Sequence, residues 1–341
     1  MIIEHERAAT NRGRLAVLLL VVLAGCTHPA TVREEVSISS GDAMLAGTMV
    51  MPAGEGRRPA VVLVHGSGPD GRSNEYYWML AKEFNDRGFA VLIYDKRGSE
   101  SSTGDWRTAP FGAVIDDAVA AATWLRRHPQ IDSSRVGVWG GSEGATIAPE
   151  VALRAGLAFV VAQSASGVTF AEQNLHQTDL QVRGMTADPA QHAAAMKLQR
   201  MKHRFARKGE GWPEYQAALT AAAGTEYRGL AGPSARDNWW WAWYRTKMDY
   251  SALPALQQLR APVLAIWGSE DALIPVTRSA AAFRESRSSM KMPADSFVVV
   301  EGADHTLYIN GLRGLLRRSL RNRPVSLDLA AGWAARQVGG R

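Results

Sequence analysis

Cysteine is almost missing from this chain: Cys26 is the only one among 341 residues. No internal disulfide can form, so the fold must rest on buried apolar surface. The sequence has no internal repeat and no low-complexity tract, which excludes repeat arrays and compositionally disordered segments. It has no cluster of metal-ligand spacing and no dinucleotide-type glycine loop, and no cofactor is expected. Basic residues number 39 against 33 acidic, a formal charge of +6. They are spread out and not interleaved with aromatics, so no nucleic-acid partner is expected. What is present is a 46% hydrophobic, 21% charged chain, enough for a sizeable globular core of one large or two ordinary domains.

The N-terminus reads as a segment outside the fold. Arg12 and Arg14 precede an apolar run at 15–24 that is short for a bilayer span and suited to a signal-peptide core. The run ends in Leu23, Ala24, Gly25 and Cys26, which resembles a bacterial lipoprotein lipobox, where cleavage precedes an acylated cysteine. The resemblance implies a signal peptide at 1–25, a lipid-anchored Cys26 and a tether at 26–33. The implied location is the bacterial cell envelope, on the periplasmic side; Thr27 in place of aspartate leans toward the outer membrane. A second basic segment, 312–323, carries Arg313, Arg317, Arg318, Arg321 and Arg323. It is expected to be a solvated helix face, with contact to an anionic membrane surface as the alternative.

Between these lies a regular alternation. Residues 34–40 and 43–52 alternate around a Gly41–Asp42 turn, as an antiparallel hairpin does. The runs 59–66, 89–98, 134–141, 157–166, 261–268 and 295–305 are largely apolar and read as buried strands. Helical patterns fill 74–88, 111–129, 142–156 and 276–289, with Pro149 expected to kink or shorten its helix. The expected fold class is α/β: a mostly parallel, doubly wound sheet, with ligands bound at the strand carboxyl ends. The rhythm fails from 168 to 259, where only helical or irregular sequence appears. This stretch is expected to be a helical cap inserted into a core made of 34–167 and 260–325, followed by a C-terminal tail at 326–341.

Candidate chemistry collects at the strand ends. Gly140-Gly141-Ser142-Glu143-Gly144 forms G-x-S-x-G between a strand and a helix, a turn that would lift the Ser142 hydroxyl above the sheet. A serine nucleophile needs a base. Of eight histidines, His305 lies in a loop just past the last strand. Glu270 or Asp271, just past the preceding strand, could orient its imidazole; Asp304 is adjacent in sequence and poorly aimed. Oxyanion donors would be the backbone N–H groups of Glu143 and of Ser67, the latter in a glycine-rich loop after the first parallel strand.

The strand ends at 65–68 and 94–98, with "GGSEG", "GSED" and "GADH" in that order, resemble the α/β-hydrolase superfamily over roughly 34–323. The nearest likeness is to dienelactone-hydrolase, acyl-thioester-hydrolase and prolyl-oligopeptidase-like groups. The resemblance selects Asp271, the last position of G-x-x-D, as the acid. It makes His65 a buried loop brace and gives Asp95 and Arg97 structural roles. One departure is Glu100, where many relatives carry glycine. The implied activity is hydrolysis of carboxylic esters by a Ser142–His305–Asp271 triad through an acyl-enzyme. Its partners are a small ester or peptide-like substrate and, through Cys26, a membrane; oligomeric state is not read from the sequence. A peptidase or thioesterase on the same triad competes with this reading, as does an inactive hydrolase fold used for binding at the cell envelope. In the cap, "WWWAWY" is read as packing of cap against body or as a substrate-lining or membrane-touching patch. Glu143 is read as a partner for a cationic substrate group or as a salt bridge into the cap.

Overall fold

The computed structural model describes residues 30–290, 292, 294–309 and 324–339. The expected signal peptide, Cys26 and the first half of the tether, 26–29, fall outside these residues, as does the arginine-rich segment 312–323. The rest of the expected tether is not free: residues 31–33 pair with the next strand as the start of the sheet's first strand. Eight strands form a single sheet in the order β1-β2-β4-β3-β5-β6-β7-β8. β1 (Thr31–Ser40) and β2 (Ala43–Pro52) are the expected hairpin, and β2 pairs antiparallel with β4 (Ala90–Tyr94). All further pairings are parallel: β3 (Arg58–Val64), β5 (Ile131–Gly141), β6 (Phe159–Gln163), β7 (Val263–Gly268) and β8 (Ser296–Val300). β4, β6 and β7 are buried along their whole length, as their unbroken apolar runs require.

Helices cover both faces. α2 (Phe111–Arg127), α3 (Glu143–Ala155), α8 (Leu253–Gln258) and α9 (Val276–Ser288) bury their apolar residues against one face, with Val62, Val138 and Trp267. α1 (Glu75–Asn85) covers the other with Tyr77, Leu80 and Phe84, packed against Leu63, Trp139 and Ile266. It shares that face with α10 (Ser326–Gln337), which lies in the segment expected as a tail. Leu327, Ala330, Ala331 and Ala334 of α10 are buried at helical spacing, so this segment is part of the core. α3 runs through Pro149 without the early end expected there. Its packing against β5, β6, α2 and α8 offsets the lost backbone bond.

The cap is a separate helical body. α4 (Phe170–Met185), α5 (Pro189–Lys208), α6 (Trp212–Ala221) and α7 (Trp239–Lys247) enclose their own cluster, with Leu198, Phe205, Tyr215, Trp241 and Met248 at its centre. α8 lies inside the stretch expected as cap, yet Leu256 and Leu259 join the core cluster.

Strand order places the site. β3 leads through α1 to β4 on one side, and β4 leads through α2 to β5 on the other. The chain therefore reverses direction between β3 and β5, and their carboxyl ends open a crevice there. Val64 pairs with Gly140 and Gly141 with Gln163, so the ends of β3, β5 and β6 stand level beneath it.

Candidate active site

Ser142 sits between β5 and α3 with φ 56° and ψ −113°, a conformation that costs non-glycine residues about 1–3 kcal/mol. Tight packing enforces it. A Cβ on Gly140 would lie 2.3 Å from the Gly144 carbonyl oxygen, and one on Gly144 would lie 2.3 Å from that of Val64. Only glycine at both positions lets the helix start this close to β3. The Ser142 amide donates to the Gln163 carbonyl at 2.9 Å, which ties the turn to β6.

His305 and Asp271 complete the arrangement. His305 Nδ1 lies 2.7 Å from Asp271 Oδ2, and His305 Nε2 lies 3.0 Å from Ser142 Oγ. An ionised carboxylate only accepts, so Nδ1 carries the proton and Nε2 is left to accept from the serine hydroxyl. Asp271 Oδ1 accepts from the amides of Leu273 and Ile274 at 2.8 and 3.0 Å, and its side chain is fully buried. The competing carboxylates are placed elsewhere. Glu270 is exposed, and Asp304 accepts from the amides of Thr306 and Tyr308 in its own turn.

The loop carrying His305 has a support that the sequence reading did not single out. Ser164, just past β6 with φ 57°, donates its hydroxyl to the His305 carbonyl at 2.8 Å. His65 is buried with a ring nitrogen on the Tyr94 carbonyl, and burial pulls its pKa down to about 4, so it is a neutral brace. Asp95 binds Arg72, and Arg97 binds Asp117 at 2.6 and 2.7 Å. Glu100 adopts φ 46°, the backbone that a glycine supplies without strain, and its carboxylate accepts from Ser73 Oγ at 2.7 Å.

Ser142 opens into a cavity of about 220 Å³ between core and cap. Ser67 and Glu143 line it beside the serine, where the oxyanion donors were expected. The cap supplies the opposite wall. Trp240, Trp243, Tyr244 and Lys247 share one face of α7 at spacings of three, four and seven residues. Trp241 points into the cap core, and Trp239 packs on Trp106 with ring centroids 5.8 Å apart. The two readings of the tryptophan run are thus divided among its members by helical period. Gln173, Asn174 and Gln177 of α4 add a wall of amides.

Glu143 makes the salt bridge into the cap rather than offering a free carboxylate. Its Oε2 accepts from Lys247 Nζ at 2.7 Å and its Oε1 from Lys96 Nζ at 3.0 Å, all three side chains being buried. Burial would raise its pKa, but the ammonium groups of Lys247 and Lys96 outweigh that and hold it at about 2. Lys247 Nζ also lies 3.9 Å from the centre of the Trp243 ring. Lys96 and Lys247 were not read as site residues. The only signal was a lysine at an apolar strand end and another beside a tryptophan run.

Comparison with known proteins agrees with this architecture. Esterase EstD of Thermotoga maritima is 37% identical over 115 residues, 32% of this chain and 27% of EstD. Esterase FrsA of Escherichia coli is 29% identical over 124 residues, 36% of this chain and 29% of FrsA. The chain thus matches under a third of the length of either relative. The solved Pyrococcus furiosus esterase Pf2001 superposes with a TM-score of 0.56 at 19% identity, covering 90% of this chain and 91% of that one, a likeness of fold. Residues 41–306 match the family described as X-Pro dipeptidyl-peptidase (S15 family). That stretch runs from the β1–β2 turn through His305, and the chain belongs to the X-Pro dipeptidyl-peptidase (S15) family of α/β hydrolases.

Proposed function

We propose that the protein is a serine hydrolase of short carboxylic esters. The observation that carries this reading is the bonded series Ser142–His305–Asp271, whose serine lines a cavity between core and cap. Ser142 Oγ attacks the ester carbonyl while His305 Nε2 takes its proton. Asp271 holds the imidazole and stabilises its charged form. The amides of Ser67 and Glu143 receive the oxyanion. Collapse expels the alcohol, which takes the proton from His305, and water then releases the acid from the acyl-enzyme by the same steps. The cavity, about 220 Å³, lies below the roughly 300–1,000 Å³ of drug-sized pockets, which favours short acyl groups. Initial rates on p-nitrophenyl acetate, butyrate and octanoate test this. Ester turnover should fall with chain length and vanish in Ser142→Ala; an unchanged rate in that variant would end the reading.

The family name favours a second reading, a dipeptidyl peptidase. Such a substrate carries a free ammonium, for which a carboxylate is the natural partner. Glu143 is the only acidic residue lining the cavity among those described, and two lysines already hold it. Esters are therefore preferred, and turnover of X-Pro p-nitroanilides above that of the esters would reverse the order.

Export and lipid anchoring at Cys26 remain part of the proposal, supported by the lipobox-like 23–26. β1 starts at Thr31, five residues on from Cys26, at most about 18 Å of chain. Cys26→Ser should move the protein from the membrane fraction to the soluble fraction of bacterial cells expressing the full chain.

A further inference from the structure

The cluster of Lys96, Glu143 and Lys247 does more than join cap to core. Lys96 Nζ makes two bonds, one to Glu143 Oε1 at 3.0 Å and one to the Gly66 carbonyl at 2.8 Å. That carbonyl belongs to the same peptide unit as the Ser67 N–H. Across a planar trans peptide the C=O and N–H point in opposite directions, so a group that holds the carbonyl also aims the amide. A cation on the oxygen further polarises the unit and strengthens its N–H as a donor. Glu143 is the first residue of α3, and its own N–H starts the helix beside Ser142. One residue therefore offers an amide to the site through its main chain and, through its carboxylate, holds the lysine that sets the other amide. Lys96, Glu143 and Lys247 are 4%, 5% and 6% exposed, so water does not loosen these bonds.

We propose that Lys96 and Glu143 are positioning residues of the oxyanion hole, Lys96 by clamping the Gly66–Ser67 peptide, with Lys247 fastening cap helix α7 to the same carboxylate. The inference rests on the serine-hydrolase reading above. Lys96 touches no reacting atom in this scheme; it acts through the Ser67 amide.

Two variants of the full chain separate positioning from mere charge or packing. Lys96→Met and Lys247→Met each remove one buried ammonium and each leave Glu143 with one partner. Only the first releases the Gly66 carbonyl. With p-nitrophenyl butyrate, Lys96→Met should lower kcat about 10- to 100-fold with KM within about twofold, part of the loss seen when an oxyanion donor is deleted. Inhibition by a boronic acid, which forms a tetrahedral adduct on the serine, should weaken by a similar factor. Lys247→Met should act mainly on KM, because Lys247 lines the cavity. Should Lys96→Met fail to fold, Lys96→Gln keeps a neutral donor and should give an intermediate kcat. Wild-type kcat in folded Lys96→Met or Lys96→Gln would overturn the proposal, as would equal kcat losses in Lys96→Met and Lys247→Met. If Ser142→Ala were as active as wild type, this inference and the hydrolase reading would fall together. A dead Ser142→Ala beside a fully active Lys96→Met would sink this inference alone.

Discussion

Core residues reach the candidate site from strand ends, and cap residues reach it from helix faces. Ser67, Ser142, Asp271 and His305 lie just beyond β3, β5, β7 and β8, on backbone that a parallel ladder holds in register. Trp240, Trp243, Tyr244 and Lys247 come from one nine-residue helix whose position depends on side-chain packing and ion pairs. In the proposed mechanism the sheet holds the reacting atoms to a fixed geometry, which bond-making requires. The helical insertion can exchange wall residues without touching that geometry. Chemistry should therefore be lost by changes in the core, and selectivity altered by changes in the cap.

The largest expected effect is on the core side. Asp271→Asn keeps the shape but offers His305 an amide that also stabilises the wrong tautomer. kcat for p-nitrophenyl butyrate should drop by about 10⁴; a loss under tenfold would show that another group orients the imidazole. The junction comes next. The folded protein holds Glu143 at about 2, below its ordinary 4.5. Its contribution to stability is complete above pH 4.5 and disappears as pH falls through about 2, on the order of 3 kcal/mol. Urea midpoints measured from pH 5 to pH 2 should decline, and Glu143→Gln should flatten that decline.

On the cap side, Trp243→Ala removes an indole from the cavity wall. The ratio of kcat/KM for hexanoyl over acetyl esters should rise about tenfold, with little change on acetate. An equal loss on every ester would mean that Trp243 supports the chemistry, and core and cap would no longer divide the work as argued. The smallest effect on activity lies inside the cap. Lys202 is 3% exposed with no acidic partner among the described residues; its amine lies 5.7 Å from the centre of the Trp240 ring. Burial pulls its pKa down to about 7 from 10.5. Between those values the unfolded chain holds a proton that the folded chain does not, so stability rises with pH across the window. Lys202→Met should add up to about 4 kcal/mol at pH 7 and remove that slope in thermal melts, with activity unchanged.

The same division explains what the sequence could reveal. Buried parallel strands are continuous apolar runs that end in glycine, so β3 to β7 and the residues just past them stand out along the chain. The order serine, acid, histidine then selects Ser142, His305 and the pair Glu270–Asp271 without knowledge of distances, and the resemblance to α/β hydrolases picks Asp271 from that pair. Lys96 and Lys247 do not stand out. They lie 47 and 104 residues from Glu143, and nothing local marks them as its partners. Ser164 was hidden for the same reason, since its hydroxyl meets His305 across 141 residues. α10 carried a helical pattern in Leu327, Ala330, Ala331 and Ala334 that its place near the C-terminus obscured. In the tryptophan run the period of α7 decides which rings face the cavity, and the sequence does not mark which of its faces the cap core covers.

The central claim is that Ser142 is a nucleophile made reactive by His305 and Asp271. Intact-mass spectrometry after exposure to a fluorophosphonate reads this directly. The account predicts one adduct per wild-type chain, mapped to the peptide containing Ser142, much slower labelling in Asp271→Asn and none in folded Ser142→Ala. An unlabelled wild-type protein, or an adduct that persists at another serine in Ser142→Ala, would contradict it.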